Sequence, residues 1–262
     1  MKLCFFGCGN IAQAIIDGLL KNGVQYGDIS CIERNPKKIQ SLKEKNLKVL
    51  EPKDLSNKNF DLVLLAVKPK DALIAEKIIF KHAPETTILT TVAGIELNNY
   101  SKPRSVIRSM PNTACAFGKG VTALYGSDSR SNEFQLAQKL FNKIGHTLLL
   151  KKEEEMHTFT SIIGSGQAFI FEVLKIYFFE LKQIEIKNKI DATDIFKFFV
   201  SSLGDSFEQE PDLETLINKI KSPGGTTQAG LESLEKSEVV NVFRGAFEAA
   251  KNKSIEISND QK

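Results

Sequence analysis

Residues 3–12 read Leu-Cys-Phe-Phe-Gly-Cys-Gly-Asn-Ile-Ala: a compact apolar run, two glycines, and the start of a helical periodicity that continues through Ala14, Ile15, Gly18 and Leu19. No other stretch restricts the fold as strongly. Gly7-Cys8-Gly9-Asn10-Ile11-Ala12 matches G-x-G-x-x-A between a strand and a helix, where the glycines permit a tight turn and let a pyrophosphate approach the backbone. The helix N-terminus adds unbonded N–H groups and a partial positive charge. Glycines after a strand also serve any sharp turn. At a strand–turn–helix junction these six residues read as a dinucleotide-binding turn.

The rest of the N-terminal half fits that start. Short apolar runs at Leu3–Phe6, Asp28–Ile32, Asp61–Val67, Thr87–Val92, Ser105–Arg108 and His146–Leu150 alternate with helical stretches such as Ala72–Phe80 and Asn132–Ile144. Consecutive apolar residues suit strands buried on both sides, and crossover helices between them predict a doubly wound parallel sheet of the α/β class. From Lys152 onward the periodicity is helical: Glu153–Ile163, Ala168–Ile184, Asp191–Glu208, Leu213–Lys219 and Thr227–Lys251. The expected division is residues 1–151 and residues 152–262, with the polar end Ser254–Lys262 expected to fray.

Composition closes off other classes. The 262 residues carry 35 basic and 32 acidic side chains, a net charge of +3. No basic stripe with interleaved aromatics emerges, so no nucleic-acid partner is expected. The most apolar stretch, Ala168–Leu181, is interrupted by Glu172, Lys175 and Glu180, so no membrane span is expected. Cys4, Cys8, Cys31 and Cys115 form no C-x-x-C pair and have no nearby histidine, so no metal site is expected. Reduced thiols and the lack of a signal-peptide pattern predict a cytoplasmic protein. His82 and His146 fall in loop-like stretches and His157 among charged residues, which does not describe a proton-transfer set.

Several strand ends carry ligand chemistry. Cys31-Ile32-Glu33-Arg34-Asn35 offers an acidic residue of the kind that bonds the ribose hydroxyls of NAD, and an Arg that accommodates the 2′-phosphate of NADP. Arg34 and Asn35 together suit a phosphate, through the bidentate guanidinium fork. NADP is therefore expected, with NAD as an alternative donor; the bland reading makes both residues solvated loop charges. Ala66-Val67-Lys68-Pro69, Thr91-Val92-Ala93-Gly94-Ile95 and Arg108-Ser109-Met110-Pro111-Asn112 follow three further strands. Each could be ordinary turn chemistry, but the three in order mark one ligand-binding edge, with Ala66, Val67, Lys68, Pro69, Ala93 and Gly94 as candidate cofactor contacts.

In the helical half, Ser222-Pro223-Gly224-Gly225-Thr226-Thr227 breaks one helix and starts another. A glycine turn at a helix N-terminus forms a nest of N–H groups suited to a small carboxylate. The alternative is an interhelix turn capped by threonine.

The run K-S-P-G-G-T-T-x-A-G-L-x-x-L-E resembles the signature of the pyrroline-5-carboxylate reductases. The resemblance spans the chain: F-F-G-C-G-N-I-A-Q-A-I at the start, L-A-V-K-P, V-A-G-I, R-S-M-P-N-T, G-S-G at Gly164–Gly166, and the loop at Ser222–Thr227. It implies a Rossmann domain followed by an all-helical dimerisation domain, with a homodimer or ring of dimers sharing active sites. It implies reduction of the cyclic imine 1-pyrroline-5-carboxylate to L-proline by NAD(P)H. It also implies a substrate site made by Ser222, Gly224, Gly225, Thr226 and Thr227, with Glu208 on the preceding helix and the Thr227 hydroxyl facing the ring nitrogen. The chain departs from the family pattern at Gln167 and Phe169, where Pro and Tyr are usual, at Ala114, where Pro is usual, and near Lys53, where an Asn often contacts ribose. Two rivals stay open on the residues alone. One is a hydroxyacid or imine dehydrogenase using Lys175, which leaves the Ser222–Thr227 loop unexplained. The other is a nucleotide-sensing module without catalysis, which leaves the same loop without a purpose.

Overall fold

A computed structural model describes residues 1–184 and 191–260. The first apolar run forms β1 (Leu3–Phe6) and the glycine turn leads into α1 (Asn10–Lys21). There follow β2 (Ile29–Ile32), α2 (Pro36–Glu44), β3 (Lys48–Val49), β4 (Leu62–Leu65), α3 (Pro69–His82), β5 (Ile88–Thr90), β6 (Val106–Met110), β7 (Gly120–Gly126), α4 (Asn132–Asn142) and β8 (Gly145–Leu149). Local chemistry sets the helix starts. Asn35 caps α2 by accepting from the N–H groups of Lys37 and Lys38, Pro69 opens α3, and Ser131 caps α4 through Phe134 N–H.

The strands form one sheet in the order β3-β2-β1-β4-β5-β6-β7-β8. β1 pairs in parallel with β2 on one side and β4 on the other, so the winding direction reverses between β1 and β4. That switch point is where an open α/β sheet leaves a crevice beyond its strand ends. Both sheet faces are covered. Leu3 and Phe5 of β1 join a core with Ile15, Ile16 and Leu19 of α1 and Phe134, Leu140 and Phe141 of α4. Cys4, between them, joins the opposite core with Val63 and Leu65 of β4 and Ala72, Ala75 and Ile79 of α3. Fully buried aliphatic side chains of this kind contribute about 1.5–3 kcal/mol each.

The sheet is parallel as expected except at β7, which runs antiparallel to β6. The segment Gly-Val-Thr-Ala-Leu-Tyr-Gly carries strand formers between glycines, a signal the sequence reading passed over because Thr122 interrupts its apolar residues. The two-residue β3 is likewise absent from the sequence reading.

The remaining helices are α5 (Glu155–Phe159), which continues through a π-helical turn at Thr160–Ser165 into α6 (Gly166–Leu181), then α7 (Ala192–Gln209), α8 (Leu213–Ile220), α9 (Thr226–Lys236) and α10 (Val239–Asn259). The chain packs as two compact units, one of Met1–Ser165 with the stretch from Ala249 onward, the other of Gly166–Glu248. The single helix expected over Thr227–Lys251 is two helices. Glu238 adopts a left-handed φ of 50° between α9 and α10, a break that no Gly or Pro announces. The expected fraying of Ser254–Lys262 is also overturned across the described part: α10 runs to Asn259, with Ser254 and Ser258 buried. Gln261 and Lys262 lie outside the described residues.

Within the second unit Tyr177 stacks on Phe199 and Phe178 packs against Phe196, with ring centroids 5.7 and 5.1 Å apart. An apolar groove of about 520 Å³ between α6 and α7 is lined by Phe171, Leu174, Phe178, Phe196 and Val200. Ile170, Phe171, Ile176, Tyr177 and Phe179 of α6 are exposed on the single chain. Contrary to the expectation drawn from its charges, the helical run Glu155–Leu181 is long and apolar enough, by length and composition, to cross a membrane.

Candidate active site

The glycine turn sits at the switch point. Gly7 has φ +90° and donates its N–H to Ile32 O at 2.8 Å. A Cβ there would stand 2.6 Å from Val67 Cγ1 and 2.8 Å from Ala66 O, so only glycine lets the ends of β1 and β4 close up. Gly9 is different: its φ is −74° and a Cβ would meet nothing within 4 Å. Its open face lies at the N-cap of α1, where Asn10, Ile11 and Ala12 occupy the first turn and their N–H groups have no carbonyl one turn earlier to bond. Gln13 is the first to find one, at Gly9 O. Ala12 is buried and seats the helix on the core. These residues fit a dinucleotide pyrophosphate: donors at a helix N-terminus, with space in front of them. Cys8 is buried, and a hydrogen bond with Cys31, then burial, push its thiol far up, so it stays neutral. What it offers is its N–H.

That N–H is taken by Glu33. The Glu33 carboxylate accepts from Cys8 N at 3.0 Å, Arg34 N at 2.8 Å and Asn35 N at 3.0 Å. Burial pushes this carboxyl up, but the N–H groups of Asn35, Cys8 and Arg34 and nearby Lys38 together hold it below its ordinary value. Glu33 thus staples the glycine turn to the end of β2. Arg34 points elsewhere, donating from Nη2 to Asp71 Oδ2 at 2.8 Å, with its side chain 83% exposed. Asn35 Oδ1 is engaged in capping α2.

At the end of β4, Ala66 is buried and bonded to Phe6 O, Val67 packs on Gly7, Lys68 is the exposed N-cap of α3 and Pro69 begins it. Beyond β5, Ala93 is half-buried, and Gly94 is buried at φ +78°. Arg108 does not face this edge: it is buried and ion-paired with Glu153 at 2.8 Å. Asn112 Oδ1 accepts from Val121 N, fixing the start of β7. Lys53 is exposed in a short 3-10 helix.

In the second unit, Ser222–Gly225 links α8 to α9. Gly225 N–H donates to Ser222 O at 3.0 Å, and Ser222 Oγ lies so close over the Gly225 Cα that a Cβ there would be 2.3 Å away. Gly224 N–H is taken by Gln228 Oε1 at 2.9 Å. The first helical bond belongs to Ala229, which donates to Gly225 O. The N–H groups of Thr226, Thr227 and Gln228 therefore have no carbonyl partner one turn back and are the donors left for an anion. Thr226 is exposed and Thr227 half-buried. Glu208 is exposed near the end of α7, and no hydrogen bond joins it to this loop among the described residues.

Sequence reasoning missed Asp71 and Gln228. Gln228 had a local signal, four residues after Gly224. Asp71 had none, because its partner is 37 residues away. The histidine placements also need correction. His82 ends α3 and His146 lies in β8, while His157 is buried in α5 with Nδ1 2.9 Å from Ser254 Oγ.

Comparisons with known proteins cover the chain from end to end. Residues 153–257 match the family model "Pyrroline-5-carboxylate reductase dimerisation", and residues 2–94 match "NADP oxidoreductase coenzyme F420-dependent". The chain is 30% identical to pyrroline-5-carboxylate reductase of Pasteurella multocida, over 97% of its own length and 96% of that relative. It is 29% identical to the same enzyme of Staphylococcus epidermidis, over 100% and 99%. Among solved structures, Plasmodium falciparum pyrroline carboxylate reductase with NADP bound superposes with a TM-score of 0.85 over 98% of both chains at 22% identity, a likeness of fold.

Proposed function

The chain belongs to the pyrroline-5-carboxylate reductase family, oxidoreductases that complete proline biosynthesis by reducing 1-pyrroline-5-carboxylate to L-proline with NAD(P)H, and we propose how its own residues divide that work. NADP is the cofactor, and the chain self-associates through its dimerisation region.

Gly7 and Cys8 shape the turn in which Gly9, Asn10, Ile11 and Ala12 hold the pyrophosphate, and Ala66, Val67, Lys68, Pro69, Ala93 and Gly94 line the rest of the cofactor path along the sheet edge. Arg34, on leaving Asp71, and Asn35 are assigned to the 2′-phosphate. The open face of Gly9 and the unbonded donors of the first turn of α1 support this assignment. NADH serves as the weaker alternative donor. When bound, the reduced cofactor supplies a hydride to carbon 5 of the cyclic imine. The ring nitrogen of the neutral imine gains electron density as the hydride arrives and takes up a solvent proton to become the amine, so the protein has to position and orient the ring and present a hydrogen-bond donor at that nitrogen. The N–H groups of Thr226 and Thr227 bind the substrate carboxylate, and the Thr227 hydroxyl donates to the ring nitrogen. Ser222, Gly224 and Gly225 shape that nest; Glu208, on α7 with α8 between it and the loop, is assigned to the substrate site on the family resemblance. The observation that carries the reading is the first turn of α9, where backbone donors and a threonine hydroxyl remain open in a loop that otherwise satisfies itself.

The functional division is kept at residues 1–151 and 152–262, supported by the start of the dimerisation match at residue 153. The exposed apolar faces of α6 and α7 are assigned to a homodimer, or a ring of dimers, rather than to lipid. Four buried free thiols support a cytoplasmic location. The deciding assay is NADPH oxidation on addition of 1-pyrroline-5-carboxylate, with proline as the product. A chain that oxidises NADPH only with a linear hydroxyacid's keto partner overturns the substrate assignment.

A further inference from the structure

The loop after β5 is braced by the end of the chain. Gly94 lies against α10 so closely that a Cβ on it would stand 2.5 Å from Ile257 Cγ2 and 3.1 Å from Ser254 O. Two residues on, Glu96 Oε1 accepts from Ser258 Oγ at 3.0 Å. Ser254 Oγ in turn shares a hydrogen bond of 2.9 Å with His157 Nδ1. Ser254, Ser258 and His157 are all buried. From another side, Glu153 Oε1 accepts from Leu97 N at 2.7 Å and from Arg108 Nη1 at 2.8 Å. All of these groups belong to the first compact unit.

This network is unusual in two respects. The residues that supply it are polar and C-terminal, the composition of a tail that normally frays. They are also ordered at one place, against a loop of positive φ whose conformation a glycine alone tolerates. A loop at the carboxyl end of a strand is mobile unless it is tied down, and here the ties come from α10 and Glu153.

We propose that the last turns of α10, through Ser254, Ile257 and Ser258, are positioning elements for the cofactor: they fix the Ala93–Gly94 loop, which follows β5 on the opposite side of β1 from the 2′-phosphate end at β2 and so falls to the nicotinamide half. The inference relies on the assignment of Ala93 and Gly94 to the cofactor path made above. Ser254, Ile257 and Ser258 touch the loop or its neighbours, so their influence on hydride transfer passes through the position of the loop. The adenine and 2′-phosphate half depends on the glycine turn and Arg34, which these residues do not touch.

The test compares two ligands on the full chain. One is NADPH; the other is 2′-phospho-ADP-ribose, which keeps the adenine, 2′-phosphate and pyrophosphate but lacks nicotinamide. In the Ser254→Ala/Ser258→Ala double variant and in Ile257→Ala, the dissociation constant and KM for NADPH rise about fivefold or more, as expected for the loss of one or two modest interactions. Binding of 2′-phospho-ADP-ribose stays within about twofold of wild type on the same grounds. Lys253→Ala, on the exposed side of the same helix, behaves as wild type. Ser258→Ala removes a single hydroxyl and keeps the comparison available should the double variant not fold. Equal weakening of both ligands makes α10 a general stabiliser and overturns the proposal. So does unchanged NADPH binding in the α10 variants when Ala93→Val weakens it. If Ala93→Val itself leaves NADPH binding unchanged, the placing of the loop in the cofactor path fails, and the proposal fails with it for that separate reason.

Discussion

The Arg34 guanidinium lies 2.8 Å from the Asp71 carboxylate, joining the end of β2 to the first turn of α3. The arginine is 83% exposed, and such pairs contribute only about 0–1 kcal/mol. A dianionic phosphate can therefore take the guanidinium over at small cost, though Asp71 remains beside it as a repelling charge. Arg34→Ala should raise the KM for NADPH far more than for NADH. Asp71→Asn should lower the KM for NADPH. Steady-state kinetics with both cofactors check this, and equal effects of Arg34→Ala on the two would reject the phosphate assignment.

The two glycines of the turn should separate stability from binding. Gly7→Ala forces a Cβ into Val67 and Ala66 and a side chain into left-handed backbone, which alone costs roughly 1–2 kcal/mol. Its melting temperature and its NADPH affinity should both fall. Gly9→Ala meets no atom and has an ordinary φ, so it should melt like wild type and still lose NADPH affinity, because its methyl fills the space reserved for the pyrophosphate. Calorimetry alongside cofactor titration distinguishes them; full affinity in Gly9→Ala would mean that the space serves nothing.

Thr227→Val keeps the shape of the side chain and removes its donor. A hydrogen bond that strengthens as the hydride arrives appears mainly in turnover. Its loss is worth roughly 1–3 kcal/mol, about a tenfold to hundredfold drop in kcat. NADPH binding should be nearly unchanged, and Thr226→Val should be milder because its N–H is what matters. Full turnover in Thr227→Val would remove its assigned role.

His157 should make the fold acid-sensitive. Burial, and then the nearby Arg108, hold its pKa below the ordinary value of 6.5, with Lys251 acting in the same sense and Glu96 and Glu153 opposing. The folded chain keeps the ring neutral while the unfolded chain binds a proton, so stability is full above about pH 6.5 and declines as pH falls below it. Urea unfolding at several pH values should show that slope in wild type and less of it in His157→Gln. An identical slope in both would assign the acid sensitivity to other groups.

Self-association should depend on the groove between α6 and α7. Phe178 is packed on Phe196 there, and exposed neighbours such as Phe171 and Phe179 await cover. Sedimentation should find at least a dimer, with Phe171→Glu shifting it toward monomer. A stable, active monomer at micromolar concentration in the unaltered chain contradicts this.

The order of secondary structure in the first half was legible because strands buried on both sides are written as unbroken apolar runs, and because glycine, proline and capping residues punctuate them locally. β1, the turn at Gly7–Gly9 and the helix start at Asn132 all follow from neighbours within a few residues, whereas α2 (Pro36–Glu44) went unread and α3 begins at Pro69, ahead of the expected Ala72. The loop at Ser222–Thr227 was legible for the same reason. Tertiary structure alone decided what depends on distant partners. The antiparallel direction of β7 was decided by its pairing with β6, although Val121, Thr122 and Tyr125 between glycines already suit a strand. Glu33 turns toward Cys8 rather than outward, and Arg34 toward Asp71, because the strand order brings those groups together. The polar end of the chain is helical and buried because Gly94, Glu96 and His157 give its serines and Ile257 partners that no local pattern could announce. Short-range conformational preference is encoded residue by residue, whereas hydrogen-bond partnership across 100 residues exists only once the core has closed.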